Sequence, residues 1–151
     1  MNDDLVKYEH GVSRIWVHIS YKTKYAHNVF EEHEEVRKRC EELLIETAKS
    51  NNIEVDTIGF DSNHVHFISD LGLYSLPRFH KIFKGTLGKK LLEQFPEIKK
   101  KYFWGSGFWS RTKYCYSISR DKNQIENYVA KQKFFPKKLN KNQMTLLNFG
   151  S

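Results

Sequence analysis

The sequence predicts an α+β domain with a ferredoxin-like (split βαβ) antiparallel sheet, two helices on one face of it, and an additional C-terminal helix. Three observations carry this reading. Apolar residues alternate at period two in several short stretches, they recur at helical spacing in two long ones, and the order is strand, helix, strand, strand, helix, strand.

From Arg14 to Tyr21, Ile15, Val17 and Ile19 alternate with Trp16 and His18, which predicts a first strand. Tyr21-Lys22-Thr23-Lys24-Tyr25 then leaves the sheet as a basic, aromatic loop. From about Phe30 to Ser50, Val36, Cys40, Leu43, Leu44 and Thr47 recur at helical spacing, and Asn51-Asn52 ends that helix. Seven glutamates against four Lys/Arg between Glu31 and Ser50 read as its solvated face. Ile53–Phe60 and His64–Leu71 are two strands, and the polar Asp61-Ser62-Asn63 between them suits a hairpin turn.

A second helix starts near Ser75 with Pro77 in its first turn, buries Phe79, Ile82, Phe83, Leu87 and Leu91, and stops at Gln94 before Pro96. Gly85 and Gly88 each weaken it by about 1 kcal/mol relative to Ala, which marks close packing, a kink or a hinge. Pro96–Lys101 is a short basic turn or helix, and Gly105-Ser106-Gly107 is a loop. Arg111–Ser119 alternates again, with Tyr114, Tyr116 and Ile118 on one face. Asp121 or Asn123 caps a last helix from about Gln124 to Phe134, ended by Pro136, and 136–151 is a basic tail.

A chain of 151 residues suits one domain with a core about 12–135, and a domain of this size buries roughly 68–70% of its unfolded surface. Cys40 and Cys115 supply neither a disulfide framework nor a cysteine-rich zinc site. Met1-Asn2-Asp3-Asp4 is followed by no long apolar stretch, so neither signal peptide nor membrane span is expected, and the expected compartment is the cytoplasm. No Gly-rich phosphate loop is present, so no nucleotide cofactor is expected.

Net charge is +7, from 25 Lys+Arg and 18 Asp+Glu, and it is unevenly spread. Ten Lys/Arg between Arg78 and Lys113 meet only Glu93 and Glu97. With Phe79, Phe83, Tyr102, Phe103, Trp104, Phe108 and Trp109 among them, this stretch suits a nucleic-acid backbone with unstacked bases lying on rings. The candidate backbone contacts are Lys22, Lys24, Arg78, Lys81, Lys84, Arg111 and Lys113.

Two constellations carry chemistry. On a strand, His64 and His66 present two imidazoles to one face while Val65 and Phe67 face the other way, an arrangement that suits either a metal ion or two unliganded surface histidines. On the last helix, Ile125, Tyr128, Val129 and Gln132 share one stripe. Tyr128 and Gln132 there are either a core aromatic and a satisfied boundary amide, or a nucleophile and a third metal ligand. Two imidazoles and an amide oxygen suit Mg²⁺, Mn²⁺ or Zn²⁺.

Taken together, these pieces resemble the single-tyrosine HUH transposases of the insertion-sequence 200/605 type. The resemblance runs from about Val12 to Phe135. It is carried by Val17-His18-Ile19-Ser20-Tyr21-Lys22-Thr23-Lys24-Tyr25, Asn63-His64-Val65-His66, Phe95-Pro96-Glu97-Ile98-Lys99-Lys100, Phe108-Trp109-Ser110-Arg111 and Tyr128-Val129-Ala130-Lys131-Gln132. It implies a homodimer that cleaves and rejoins single-stranded DNA with hairpin ends. His64, His66 and Gln132 would hold a divalent Mg²⁺ or Mn²⁺, and Tyr128, on the C-terminal helix and able to act in trans, would form a 5′-phosphotyrosine. Many members carry an acidic residue directly before the first histidine, where this chain has Asn63. The expectations from other classes are a metal-dependent phosphodiesterase with no covalent intermediate and a non-catalytic binder of structured RNA or single-stranded DNA.

Overall fold

The computed structural model describes residues 6–8, 11–13, 15–103, 105–117 and 134–138. A short antiparallel ribbon of β1 (Val6–Tyr8) and β2 (Gly11–Ser13) comes first. The strand predicted near Arg14 is β3 (Trp16–Thr23), followed by a 3-10 turn at Lys24–Ala26. The first predicted helix is broken in two at His33, giving α1 (Val29–Glu32) and α2 (Glu34–Ser50). The predicted hairpin is β4 (Val55–Asp61) and β5 (His64–Asp70). The second helix comprises α3 (Leu76–His80), a π-helical stretch at Lys81–Gly85, and α4 (Thr86–Gln94). Then come α5 (Pro96–Tyr102), β6 (Trp109–Ser117) and β7 (Phe134–Lys138).

The main sheet has the order β6-β3-β5-β4-β7, antiparallel at each pairing. Its first four strands have the ferredoxin-like arrangement that the element order predicts. The strand β7 is new: Phe134 and Pro136, expected to end a helix, lie instead in an edge strand against β4. Proline donates no ladder hydrogen bond and is confined to edges and irregular register, and the register of β7 shifts between Phe134 and Lys137. The rest of the predicted last helix lies outside the described residues.

One face of the sheet carries the core. Val17, Ile19 and Tyr21 of β3, Ile58 and Phe60 of β4, and Val65 and Phe67 of β5 are buried with the apolar sides of α2 and of the α3–α4 helix. Tyr21 continues β3 beyond its predicted exit because its ring is fully buried against Phe67 and Trp109 and its hydroxyl meets His80 Nδ1 at 2.7 Å. Ser75 caps α3 by accepting from the Arg78 N–H, at the start expected for this helix. Arg39 of α2 donates to Gln94 of α4 at 2.8 Å, joining the two helices at their solvent side.

The aromatic reading of the basic stretch needs correction. Phe79, Phe83, Phe103, Phe108 and Trp109 are all buried, so their rings fill the core and are closed to stacking bases. Composition cannot distinguish an inward ring from an outward one. Trp104 lies outside the described residues. Among the described residues, no helix is long and apolar enough to cross a membrane.

The two helical glycines have different causes. A Cβ on Gly88 would lie 3.2 Å from Trp109 Cδ1, whereas a Cβ on Gly85 would meet nothing within 4 Å. Trp109 is hemmed in by Tyr21, Phe30 and Phe108 and has little room to retreat. Gly88→Ala is therefore expected to destabilise the fold, whereas Gly85→Ala is expected to stabilise it by about 0.5–1 kcal/mol. Urea unfolding midpoints moving in opposite directions for the two variants would bear this out.

Candidate functional site

On β5 the core residues Val65 and Phe67 fix the phase of the strand, so His64 and His66 project from the opposite face. Their ring centroids lie 4.3 Å apart. His64 opens this strand, and the Ser62-Asn63 turn before it is tightly held. The Ser62 carbonyl accepts from the Phe30 and Glu31 N–H groups in the first turn of α1, at 3.1 and 3.3 Å. Those amides have no intrahelical partner of their own. The Asn63 carbonyl accepts from the Thr23 N–H at 2.8 Å and from the Thr23 hydroxyl at 3.1 Å.

The Asn63 side chain has two partners. Its Nδ2 donates to the Ala26 carbonyl at 3.4 Å and its Oδ1 lies 2.7 Å from His64 Nδ1. Ala26 presents that carbonyl from a 3-10 turn in which Tyr25 and Ala26 both have left-handed backbone, φ 64° and 56°. Such conformations cost non-glycine residues on the order of 1 kcal/mol or more each and persist where the surroundings impose them. Thr23 contributes by donating its hydroxyl to the His27 carbonyl at 2.7 Å.

A third imidazole joins the pair. The β3–β5 register sets Ser20 opposite His66 and His18 opposite Ile68, so His18 is the diagonal neighbour of His66. His18 Nε2 lies 3.1 Å from His66 Nδ1, with the rings nearly parallel and 5.1 Å apart. Sequence alternation places His18 on this face, but only strand register brings it to the pair.

Burial is the first cause of the electrostatics here. It pushes His66 down to about 3, with His64 and His18 adding to the shift and Asp61 opposing it. It pushes His18 down to about 4, with help from His64. His64 is also lowered by burial; the Asp61 carboxylate, 4.0 Å from Nε2, works against this and Lys22 works with it. All three imidazoles are therefore neutral near neutral pH, the form in which a ring nitrogen offers a lone pair. That donor chemistry fits a divalent ion of the imidazole-accepting kind. Among the described residues, no group of three His, Cys, Asp or Glu side chains forms a complete metal site.

The candidate backbone contacts fall into groups. Lys22 is exposed and opposite His64 in the register, and Lys24 lies in the adjoining 3-10 turn with its ammonium 5.7 Å from the Tyr25 ring centroid. Lys84 donates its ammonium to the Ser110 carbonyl at 2.6 Å and sits over the Tyr21 ring. Lys113 stands opposite Tyr21 in the register, at the helix-side face of the sheet, and depresses both Lys84 and His80. Arg78, Lys81 and Arg111 are exposed. Tyr128 and Gln132 lie outside the described residues.

His80, like His18, is held near 4, chiefly by burial. Histidines whose folded values lie below the unfolded 6.5 bind protons more tightly when unfolded. Stability should be full above pH 6.5 and should fall as pH drops toward 4. Urea midpoints across that window should decline, and His18→Phe should flatten the decline.

Comparison with known proteins bears on the family and the fold. The family model described as "Transposase IS200 like" matches residues 11–132. The ISDra2 transposase TnpA of Deinococcus radiodurans is 28% identical over 123 residues, covering 80% of this chain and 86% of the relative. A crystal structure described as a transposase from Deinococcus radiodurans superposes with a TM-score of 0.66 at 25% identity, covering 84% of this chain and 97% of that one. With the family model spanning four of the five strands of the main sheet, the helices and the histidine pair, this chain belongs to the IS200-like transposase family.

Proposed function

We propose that this chain cleaves and rejoins single-stranded DNA at the hairpin ends of an insertion sequence, through a covalent 5′-phosphotyrosine on Tyr128. The observation that carries the reading is the pair of adjacent, neutral imidazoles, His64 and His66, on a pinned strand of an IS200-like transposase. In this reading His64, His66 and the Gln132 amide oxygen hold Mg²⁺ or Mn²⁺. When bound, the ion withdraws charge from the scissile phosphate and favours phenolate over phenol.

The Tyr128 hydroxyl, with a reference pKa near 10, is a weak nucleophile unaided. It loses its proton and forms a bond to phosphorus as the bond from phosphorus to the 3′-oxygen breaks. That oxygen takes a proton and leaves as a free 3′-OH. Rejoining is the reverse attack by a 3′-OH on the phosphotyrosine. One phosphodiester replaces another at each step, so no nucleotide cofactor is consumed.

Lys22 and Lys24 stand where a strand entering this site would bring its phosphates, and burial keeps the histidines from binding protons in place of metal at neutral pH. The functional unit in this reading is a homodimer in which the tyrosine helix of one protomer completes the site of the other. Arg78, Lys81, Arg111 and Lys113, all exposed, would add contacts to the DNA backbone.

Incubation with labelled single-stranded DNA carrying the element's ends should give a protein–DNA band that survives denaturation, requires Mg²⁺ or Mn²⁺, and disappears in Tyr128→Phe. Cleavage without that band would replace the tyrosine by an activated water. Binding without cleavage, indifferent to His64→Ala, would leave a DNA-binding module. Placement in trans has its own test: mixing inactive Tyr128→Phe and His64→Ala protomers should restore part of the activity, because one site of each mixed dimer is whole. A cis site would stay inactive in the mixture.

A further inference from the structure

We propose that Asn63 is a positioning residue for the histidine pair: its amide holds His64 with the proton on Nδ1 and so reserves Nε2 as the lone-pair donor. The argument begins with the orientation of the amide. The Ala26 carbonyl can only accept, so the Asn63 nitrogen must face it, 3.4 Å away. That turns Oδ1 toward His64 Nδ1 at 2.7 Å. An amide oxygen can only accept as well, so Nδ1 must carry a hydrogen. A neutral imidazole has one such hydrogen, and its lone pair therefore lies on Nε2. The opposite tautomer would set two acceptors against each other at hydrogen-bond distance.

His66 is approached at the same ring position, by His18. Both neighbours thus contact Nδ1, which leaves Nε2 as the other ring nitrogen on each histidine. Outer partners of this kind orient metal-binding histidines in general and raise their basicity. An amide does this without adding charge, whereas a carboxylate at the same position would also strengthen proton binding by His64. The left-handed turn at Tyr25 and Ala26 gains a purpose here, since it aims the carbonyl that orients the amide.

The inference rests on the metal reading of His64 and His66 given above, and the experiment separates the two. Long-range ¹H–¹⁵N correlation spectra of the metal-free, ¹⁵N-labelled protein at neutral pH should show His64 with a protonated Nδ1 and an unprotonated Nε2. In Asn63→Ala that preference should be lost, and in Asn63→Asp it should return. Titration of the same proteins with Mn²⁺ should show affinity about 10–100-fold weaker in Asn63→Ala and largely recovered in Asn63→Asp. A wild-type His64 protonated on Nε2 would overturn the proposal without recourse to any variant, as would an Asn63→Ala protein with unchanged tautomer and unchanged Mn²⁺ affinity. Because the tautomer is read without metal, a wild-type protein that fails to bind Mn²⁺ removes the metal reading itself, while the spectra still decide the role of Asn63.

Discussion

The hydrogen bonds to the carbonyls of Ser62 and Asn63 are the constraint on which the candidate site depends. Two amides from α1 and the backbone and hydroxyl of Thr23 fix a two-residue turn from outside the hairpin. A hairpin held only by its own ladder could slip, and a slip of one residue would turn His64 and His66 into the core and Val65 and Phe67 out of it. The fully buried Val65 and Phe67 oppose that slip from one side. The pinned turn opposes it from the end. Packing and backbone hydrogen bonding thus select the same register, and the imidazoles point away from the core as a by-product.

The helix side of the sheet supports β3, which carries His18. Tyr21 of β3 is the meeting point: its hydroxyl touches His80 at the end of α3, its ring lies beside Phe67 and Trp109, and the Lys84 ammonium sits over its ring. Lys84 also donates to Ser110 in β6, so the π-helical stretch is tied to two neighbouring strands. A π-helical turn widens the helix and shifts the side chains beyond it. Here the helix beyond it offers Gly88 to the Trp109 ring, a close approach that a Cβ would have to push back. His18 is therefore held by a strand whose far face has no freedom.

Much of this was readable from the chain because alternation and helical spacing are local. His64 and His66 belong together through strand periodicity alone, and the Asp61-Ser62-Asn63 turn is written in its polar residues. The features that escaped depend on distant partners. His18 joins the site through the β3–β5 register, which no local pattern encodes. His33 interrupts the first helix where Tyr102, from α5, bonds both His33 and Glu32. Phe134–Lys138 reads as the end of a helix because of Pro136, yet the sheet's edge accepts a proline that its interior would refuse. The aromatic residues of the basic stretch mislead for the opposite reason, since a count of rings carries no direction. Tyr128 and Gln132 rest on helical spacing and on family resemblance.

The charge balance at the histidine pair explains why burial matters more than net charge for the proposed chemistry. A chain at +7 attracts phosphates at any exposed basic patch, and protonated histidines would serve that purpose too. A protonated imidazole, however, has no lone pair to give a metal. Burial resolves the conflict by separating the tasks: Lys22 stands exposed beside the pair, while His66 and His18 stay neutral well into the acid range. Asp61 limits how far burial pushes the pair down, since its carboxylate favours protonation of His64 and outweighs the opposing influence of Lys22. Attraction for the DNA backbone and readiness to hold an ion are thereby assigned to different side chains of one sheet surface. The loss of acid stability that follows from buried neutral histidines is the other side of the same arrangement.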